Sequence, residues 1–303
     1  MSAIAPDAWQ RSVVAALKAT PGALAATGDG LAAAWARIGG AGSVSVWSLA
    51  IGGTAFFVKV ASPGRFDLLS AEVEALAALF ESGAVRVPRI YASGVAEDAA
   101  FLALEWLEIV DGGRDAALGR ALAALHATHG PRFGWHRDNH IGTTPQRNAW
   151  CDDWAAFFRD CRLAPQLELA VRSGYGGRLA RDGERLLDAV PALLDGHRPA
   201  PSLLHGDLWG GNAARLRDGS PVVFDPASYF GDREADLAMT ELFGGFGTDF
   251  YDAYAEAAPL PPGYPQRRTL YNSYHVLNHL NLFGAPYRAR AEAMVGELAA
   301  AAR

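Results

Sequence analysis

The sequence predicts an α+β fold, with strands in the first third of the chain and helices dominating the rest. Short runs rich in β-branched and aromatic residues occur before residue 108, and such runs are typical of strands. Apolar residues recur at helical spacing from Asp115 onward, after a glycine-containing break at residues 111–113. With 303 residues, 50% of them hydrophobic, the chain can bury a sizeable core.

The first third begins with a helix predicted over residues 7–27, on which Trp9, Val13 and Leu17 share one face. A glycine-rich turn over 38–43 then precedes the first strand. Glycines there would let backbone N–H groups approach a phosphate closely, although most glycine-rich turns are simple hairpin connections. The predicted strands, each next to glycine, proline or another turn-forming residue, cover residues 44–49, 56–60, 87–91 and 100–107.

One strand contains a lysine, Lys59, on the face opposite Val58. A lysine in an apolar strand usually protects a sheet edge from pairing with another chain, or extends its charged end to solvent. The helix predicted over residues 66–80, however, places Glu72 on the same apolar stripe as Leu76 and Phe80. Because burying an unpaired charge is costly, we expect Glu72 to pair with Lys59.

Two acids and an amide, Asp207, Asn212 and Asp225, form the most informative pattern in the chain. Each alone would most simply be a turn former or a helix cap. The combination H-x-D-x-x-x-x-N, followed by an apolar strand that ends in Asp, is much rarer. Between Asn212 and Asp225 the sequence predicts two short strands joined by an Asp218-Gly219 turn. Because an antiparallel hairpin returns the chain to its start, Asn212 and Asp225 should lie side by side.

These residue types suit phosphoryl transfer. Mg²⁺ prefers a few oxygen ligands and keeps the rest of its shell for water and phosphate, so the Asp225 carboxylate and the Asn212 amide oxygen could hold it beside a nucleotide triphosphate. Asp207, offset from that pair, is free to receive a proton from a substrate hydroxyl. A helix predicted over 232–243 places Asp236 where it can brace the catalytic loop.

Composition excludes several other classes of protein. The formal charge is -6 and the isoelectric point is near 5.7, and no run of Lys or Arg is present, which argues against nucleic acid or an anionic membrane as the main partner. Cys151 and Cys161 have no companion ligands, so neither a disulfide framework nor a zinc site is expected. The first residues lack the pattern of a signal peptide. We therefore expect a cytoplasmic protein without a membrane span.

Several segments together resemble the fructosamine (ketosamine) kinase family of the protein-kinase-like fold. The catalytic motif alone would indicate the wider group that includes aminoglycoside and choline kinases. Trp209, the Asp-Pro-Ala-Ser run at 225–228 and the Phe-Gly-Gly-Phe run at 243–246 are similar to the narrower family. The segments that carry the resemblance are residues 57–59, 85–89, 148–158, 204–212, 224–228, 243–246 and 277–281.

The resemblance implies a two-lobed fold with a small antiparallel-sheet N-lobe and a larger, mainly helical C-lobe. Residues 1–108 would form the nucleotide-binding lobe, and residues 109–303 the catalytic and substrate-binding lobe. The implied activity is ATP- and Mg²⁺-dependent phosphorylation of the sugar 3-hydroxyl in ketosamines, a deglycation-type reaction on free or protein-bound glycated amines. Residues 39–48 lack the redox-active cysteine that some members carry, so disulfide-linked dimers are not expected and the chain should be a monomer.

The resemblance also implies roles for nine residues of this chain. One acts in catalysis, two hold the metal, five bind ATP and one contacts the substrate. They are the base Asp207; the metal ligands Asn212 and Asp225; the ATP-binding residues Lys59, Glu72, Glu105, Trp106 and Leu107; and the substrate-binding Trp209.

Two other functions remain open at this point. An aminoglycoside or choline kinase would need clustered acids for a cationic substrate, and the C-terminal third offers only scattered ones such as Asp249, Asp252 and Glu256. A nucleotide-binding pseudokinase would lack a catalytic group, whereas all of the predicted catalytic groups are present.

Overall fold

The structure is a computed structural model that describes residues 7–24 and 31–301. None of the helices in these two ranges is both long enough and apolar enough to cross a membrane. The α-helices are α1 (Ala8–Ala19), α2 (Phe66–Glu81), α3 (Ala116–His126), α4 (Trp154–Phe157), α5 (Ala164–Arg172), α6 (Arg178–Leu193), α7 (Glu234–Leu242), α8 (Thr248–Ala257), α9 (Tyr264–Phe283) and α10 (Arg288–Ala301).

The strands form one large sheet in the N-terminal part and short two- and three-stranded sheets in the C-terminal part. They are β1 (Ala33–Ala41), β2 (Val44–Ile51), β3 (Thr54–Ala61), β4 (Ile90–Val95), β5 (Ala100–Glu105), β6 (Ile109–Val110), β7 (Asn139–Ile141), β8 (Thr144–Gln146), β9 (Ser202–Leu203), β10 (Ala213–Leu216), β11 (Pro221–Val223) and β12 (Phe230–Gly231).

The N-terminal sheet is antiparallel with the order β1-β2-β3-β5-β4. Gly52 and Gly53 connect β2 to β3 with φ values of 58° and 77°. Positive φ at both central residues is the requirement of a type I′ hairpin turn, which glycine meets without strain. The predicted glycine-rich turn is shorter than expected, because Ile38 already belongs to β1 and only Gly42 and Ser43 form the turn.

Helices cover both faces of this sheet. On one face, α1 buries Trp9, Val13 and Leu17 against β3 and its neighbours, as the sequence predicts. The helix ends at Ala19, earlier than predicted, because Thr20 precedes a proline and takes an extended conformation; residues 25–27 of the prediction lie outside the described ranges.

The opposite face of the sheet carries α2. Leu69, Leu76 and Leu79 of this helix are buried against the sheet. The prediction that Phe80 belongs to the buried stripe is wrong, since its side chain is 65% exposed. Leu79 fills the place one turn after Leu76, and Phe80 points to solvent.

The C-terminal part is mainly helical, and pairs of helices pack on one another as α3 on α8, α6 on α10 and α7 on α9. The antiparallel sheet in the N-terminal part and the helices in the C-terminal part confirm the predicted α+β class. Strand β6 pairs with β10, so the chain joins the C-terminal part directly after residue 108. The division at 108 and 109 stays a prediction.

Candidate active site

The loop that carries Asp207 follows β9 and lies against the segment after β11. Gly206 has φ 84°, and a Cβ there would lie 2.1 Å from the backbone oxygen of Ala227. Only glycine allows this approach without strain. The Asp236 carboxylate accepts hydrogen bonds from the backbone N–H groups of His205 (2.7 Å) and Gly206 (2.8 Å). Asp236 therefore braces the loop, as the sequence predicts.

The bracing carboxylate is itself held in its ionised form. His126 Nε2 lies 3.1 Å from Asp236 Oδ2, and both residues are buried. Burial alone would raise the pKa of Asp236. The hydrogen bonds from His126 and from the Gly206 backbone N–H outweigh this effect and lower that pKa. Asp236 thus stays a hydrogen-bond acceptor at neutral pH.

His205 joins the Asp207 loop to the segment that contains Asp225. Its Nε2 lies 3.1 Å from the backbone oxygen of Phe224, and its Nδ1 accepts from the Asp207 backbone N–H at 3.3 Å. A carbonyl oxygen only accepts, so Nε2 carries the proton and Nδ1 is free to accept. Burial lowers the pKa of His205, which favours this neutral form.

Asp207 and Asn212 are in direct contact. Asn212 Nδ2 donates to the backbone oxygen of Asp207 at 2.9 Å and to its carboxylate at 3.3 Å. Burial, followed by the negative charge of Asp225, raises the pKa of Asp207 to about 7, although the Asn212 hydrogen bond lowers it in part. Asp207 is therefore a stronger base than an ordinary aspartate.

The hairpin of β10 and β11 is confirmed, with Ala213 opposite Val223. The Phe224 N–H donates to the Asn212 oxygen at 3.1 Å, which extends the pairing by one residue. Asn212 and Asp225 consequently line the same cavity. Within residues 7–24 and 31–301, Asp225 alone among non-glycine residues has a positive φ, 56°. Such backbone conformations are costly and cluster at functional sites.

Lys59 connects the N-terminal sheet to this centre. Its Nζ lies 2.8 Å from both carboxylate oxygens of Glu72, which confirms the predicted pair, and 2.7 Å from Asp225 Oδ1. Burial alone would lower the pKa of Lys59, but the charges of Glu72 and Asp225 raise it above its ordinary value. The ammonium group is thus charged at neutral pH. The contact with Asp225 was not predicted from the sequence.

A first cavity of about 430 Å³ lies between the end of β5 and the segment after β11. Glu105, Trp106 and Leu107 all line it, together with Phe57 and Phe224. Its lining is mainly apolar, as a flat aromatic base requires. That these residues bind adenine stays a prediction.

Within this cavity the Glu105 side chain is already engaged. Its oxygens lie 2.5 and 2.6 Å from Arg86 Nη2, and one of them accepts from the Arg89 backbone N–H at 3.0 Å. The Glu105 backbone N–H is also engaged, since it donates to the backbone oxygen of Arg89 at 2.8 Å.

A second cavity of about 590 Å³ brings together the other six predicted site residues, which are Lys59, Glu72, Asp207, Trp209, Asn212 and Asp225. The β1–β2 turn contributes Gly42 to the lining, and α9 contributes Asn278, His279, Leu282 and Phe283. Sequence reasoning missed Asn139, His140 and Asn278 in this lining. Asn278 falls in the family-like run at 277–281, which was the only signal available for it.

Comparison with known proteins agrees with this geometry. The model of the fructosamine kinase family matches residues 25–301. A protein from Synechocystis sp. named as a probable ketoamine kinase is 46% identical over 243 residues, which cover 79% of this chain and 81% of the relative. A protein from Oryza sativa subsp. indica named protein-ribulosamine 3-kinase, chloroplastic, is 39% identical over 246 residues, which cover 80% of this chain and 72% of the relative.

Solved structures show the same relationship. The crystal structure of a protein from Haemophilus somnus, described as a fructosamine-3-kinase, superposes with a TM-score of 0.87 at 28% identity, over 95% of this chain and 97% of that one. The aminoglycoside phosphotransferase APH(4)-Ia superposes with a TM-score of 0.59 at 14% identity, over 97% of this chain and 98% of that one, which shows a shared protein-kinase-like fold. The chain belongs to the fructosamine kinase family.

Proposed function

We propose that this chain is an ATP-dependent kinase that phosphorylates the sugar 3-hydroxyl of ketosamines. Its relatives are named ketoamine kinases and protein-ribulosamine 3-kinases. The observation that carries the proposal is the convergence of Lys59, Asp207, Asn212 and Asp225 on one cavity, next to a second, apolar cavity suited to a nucleotide base.

The proposed reaction moves one phosphoryl group and one proton. The bond between the β-phosphate bridging oxygen and the γ-phosphorus of ATP breaks, and a bond from the sugar oxygen to that phosphorus forms. Asp207 accepts the hydroxyl proton, and its raised pKa of about 7 matches a base that works near neutral pH. The ammonium of Lys59, freed from one of its two carboxylates, would contact phosphate oxygens.

The residues present fit a magnesium ion. Asn212 uses its Nδ2 for Asp207, so its Oδ1 points away and has no partner among the described residues. The Asp225 carboxylate, half-exposed, lies in the same cavity. One carboxylate and one amide oxygen form a donor set suited to a hard cation. Bound there, Mg²⁺ would neutralise phosphate charge, and Asn212 and Asp225 would hold it.

The acceptor part of the second cavity favours a sugar over a polycation. Its carboxylates are Glu72, Asp207 and Asp225, all of which the proposed reaction uses. Trp209, 41% exposed, offers an aromatic face on which a sugar ring can stack. The scattered acids considered for an aminoglycoside site, Asp249, Asp252 and Glu256, are not part of this lining.

Three further features belong to the proposal. We propose that the enzyme acts as a monomer, uses Mg²⁺ with ATP, and works in the cytoplasm, where its thiols, Cys151 and Cys161, would stay reduced as they are in the structure. The chloroplastic name of the rice relative belongs to that protein. A pseudokinase is disfavoured because the catalytic groups are present and correctly paired.

A steady-state comparison of acceptors tests the proposal. Purified enzyme with ATP and Mg²⁺ is assayed with a ribulosamine, a fructosamine, an aminoglycoside and choline at matched concentrations. We expect the highest kcat/KM for a ketosamine. A higher kcat/KM for an aminoglycoside or choline would contradict the ketosamine assignment, and absence of transfer to any acceptor would favour the pseudokinase.

A further inference from the structure

A buried amide on α9 lines the second cavity, which is called the acceptor cavity from here on. Asn278 is 2% exposed and lines the cavity together with Asp207 and Trp209. We infer that the Asn278 amide N–H₂ group donates a hydrogen bond to an oxygen of the ketosamine and thereby helps to select the substrate. This inference rests on the proposed function and deepens it.

The orientation of the Asn278 amide follows from a chain of three amides that starts at a backbone carbonyl. Asn281 Nδ2 donates to the backbone oxygen of Gln166 at 2.9 Å and to Gln166 Oε1 at 2.7 Å. Because a backbone oxygen only accepts, Asn281 must present its nitrogen to Gln166. Gln166 therefore presents its oxygen to Asn281, and its nitrogen is left for the next partner.

That next partner is Asn278. Gln166 Nε2 donates to Asn278 Oδ1 at 3.2 Å. The nitrogen of Asn278 must then face away from Gln166. This nitrogen, Asn278 Nδ2, has no hydrogen-bond partner among the residues in the described ranges. Asn281 Oδ1 also lacks a partner but is completely buried, whereas Asn278 Nδ2 is not. The buried relay thus offers a pre-oriented donor to the cavity.

A fixed donor restricts which part of a candidate acceptor can lie against Asn278. Sugar hydroxyl and carbonyl oxygens can accept a hydrogen bond from it, whereas an ammonium group has only donors. An aminoglycoside that placed an ammonium at Asn278 would bring donor against donor in a partly buried wall. Selection against a wrong partner by such an unpaired contact is a general route to specificity.

Two variants and one control test the inference. Asn278→Asp keeps the size of the side chain and an acceptor for Gln166 but removes the donor. Gln166 lies outside the cavity lining. In Gln166→Glu, assayed at pH 8, the new carboxylate can accept from Asn281 but cannot donate to Asn278. The Asn278 amide should then turn its nitrogen toward residue 166 and its oxygen toward the cavity. Asn272→Asp makes the same chemical change on α9 outside the cavity lining.

We expect both Asn278→Asp and Gln166→Glu to raise KM for the ketosamine by roughly 3- to 10-fold, the size of one neutral hydrogen bond. KM for ATP should change less than about 2-fold in both variants, since the loss concerns acceptor binding. Asn272→Asp should leave both constants unchanged. Melting curves show whether each variant folds; if Asn278→Asp or Gln166→Glu does not, Asn278→Leu, which also removes the donor, replaces it.

The possible outcomes separate the two claims. If the wild type phosphorylates the ketosamine and neither variant raises its KM, the inference is overturned while the proposed function stands. If both variants raise KM for ATP as much as KM for the ketosamine, Asn278 has a general structural role and the inference is also overturned. A wild type that transfers no phosphate to a ketosamine overturns the proposed function, and the inference with it.

Discussion

Replacing Asp207 by Asn should stabilise the folded protein at pH 8 while removing most of its activity. Burial and the nearby charge of Asp225 raise the pKa of Asp207 from 3.8 to about 7. Above pH 7 the folded protein therefore carries an ionised carboxylate in an environment that disfavours it. Asparagine has nearly the same shape and no charge, so it avoids this cost.

The size of the effect follows from the pKa shift. One pKa unit corresponds to about 1.4 kcal/mol, so a shift of roughly three units sets an upper limit of about 4 kcal/mol. Because the Asp207 side chain is only partly buried by area, solvent screening reduces the expected gain to about 1–3 kcal/mol. Because the pKa of Asp207 is raised in the folded state, its contribution to the stability of the wild type is fully present below pH 4. This contribution is lost as the pH rises through 7. The advantage of Asn should thus grow between pH 4 and pH 8.

Denaturant unfolding of the wild type and Asp207→Asn at pH 4, 6 and 8 measures this difference. Asp252→Asn is the matched control, because it removes an exposed carboxylate from the surface of α8. Turnover of Asp207→Asn should fall by roughly 10²- to 10⁴-fold, as expected for loss of a general base. A variant that is no more stable than the wild type at pH 8, or a gain that does not depend on pH, would refute the reasoning.

Further predictions concern the groups around Asp207. Lys59→Met leaves two carboxylates without their cation, so the free energy of unfolding should drop by about 3–5 kcal/mol and KM for ATP should rise; unchanged values would contradict the ion-pair assignment. Gly206→Ala puts a Cβ 2.1 Å from a backbone oxygen, and calorimetry should show a lower Tm together with lost activity. Asp225→Ala should abolish turnover at every Mg²⁺ concentration while the protein stays folded by circular dichroism. In the wild type, kcat/KM should fall as pH drops below about 7, because Asp207 becomes protonated; a flat profile down to pH 5 would contradict its role as base.

Local spacing was sufficient to predict the central hairpin and one ion pair. The Asp218-Gly219 turn connects β10 to β11, and pairing across a short hairpin needs no knowledge of distant residues. The pairing of Lys59 with Glu72 followed from the cost of an unpaired charge on an apolar stripe.

The remaining parts of the site depend on tertiary packing that spacing does not encode. Asn139 and Asn278 enter the acceptor cavity from distant segments, and no periodicity relates them to Asp207. The contact between Lys59 and Asp225 spans 166 residues of sequence. Phe80 was misplaced because the same helical pattern allows either Leu79 or Phe80 to complete the buried stripe, and only packing against the sheet decides between them.

The position of the transferred phosphate tests the central claim most directly. Wild-type enzyme, ATP, Mg²⁺ and a ribulosamine or fructosamine are incubated, and the product is analysed by phosphorus and proton NMR, with Asp207→Asn in parallel. The account predicts a ketosamine phosphorylated at the 3-hydroxyl in the wild-type reaction and little product with the variant. Phosphate on another hydroxyl, equal product from both proteins, or no phosphorylated ketosamine at all would contradict it.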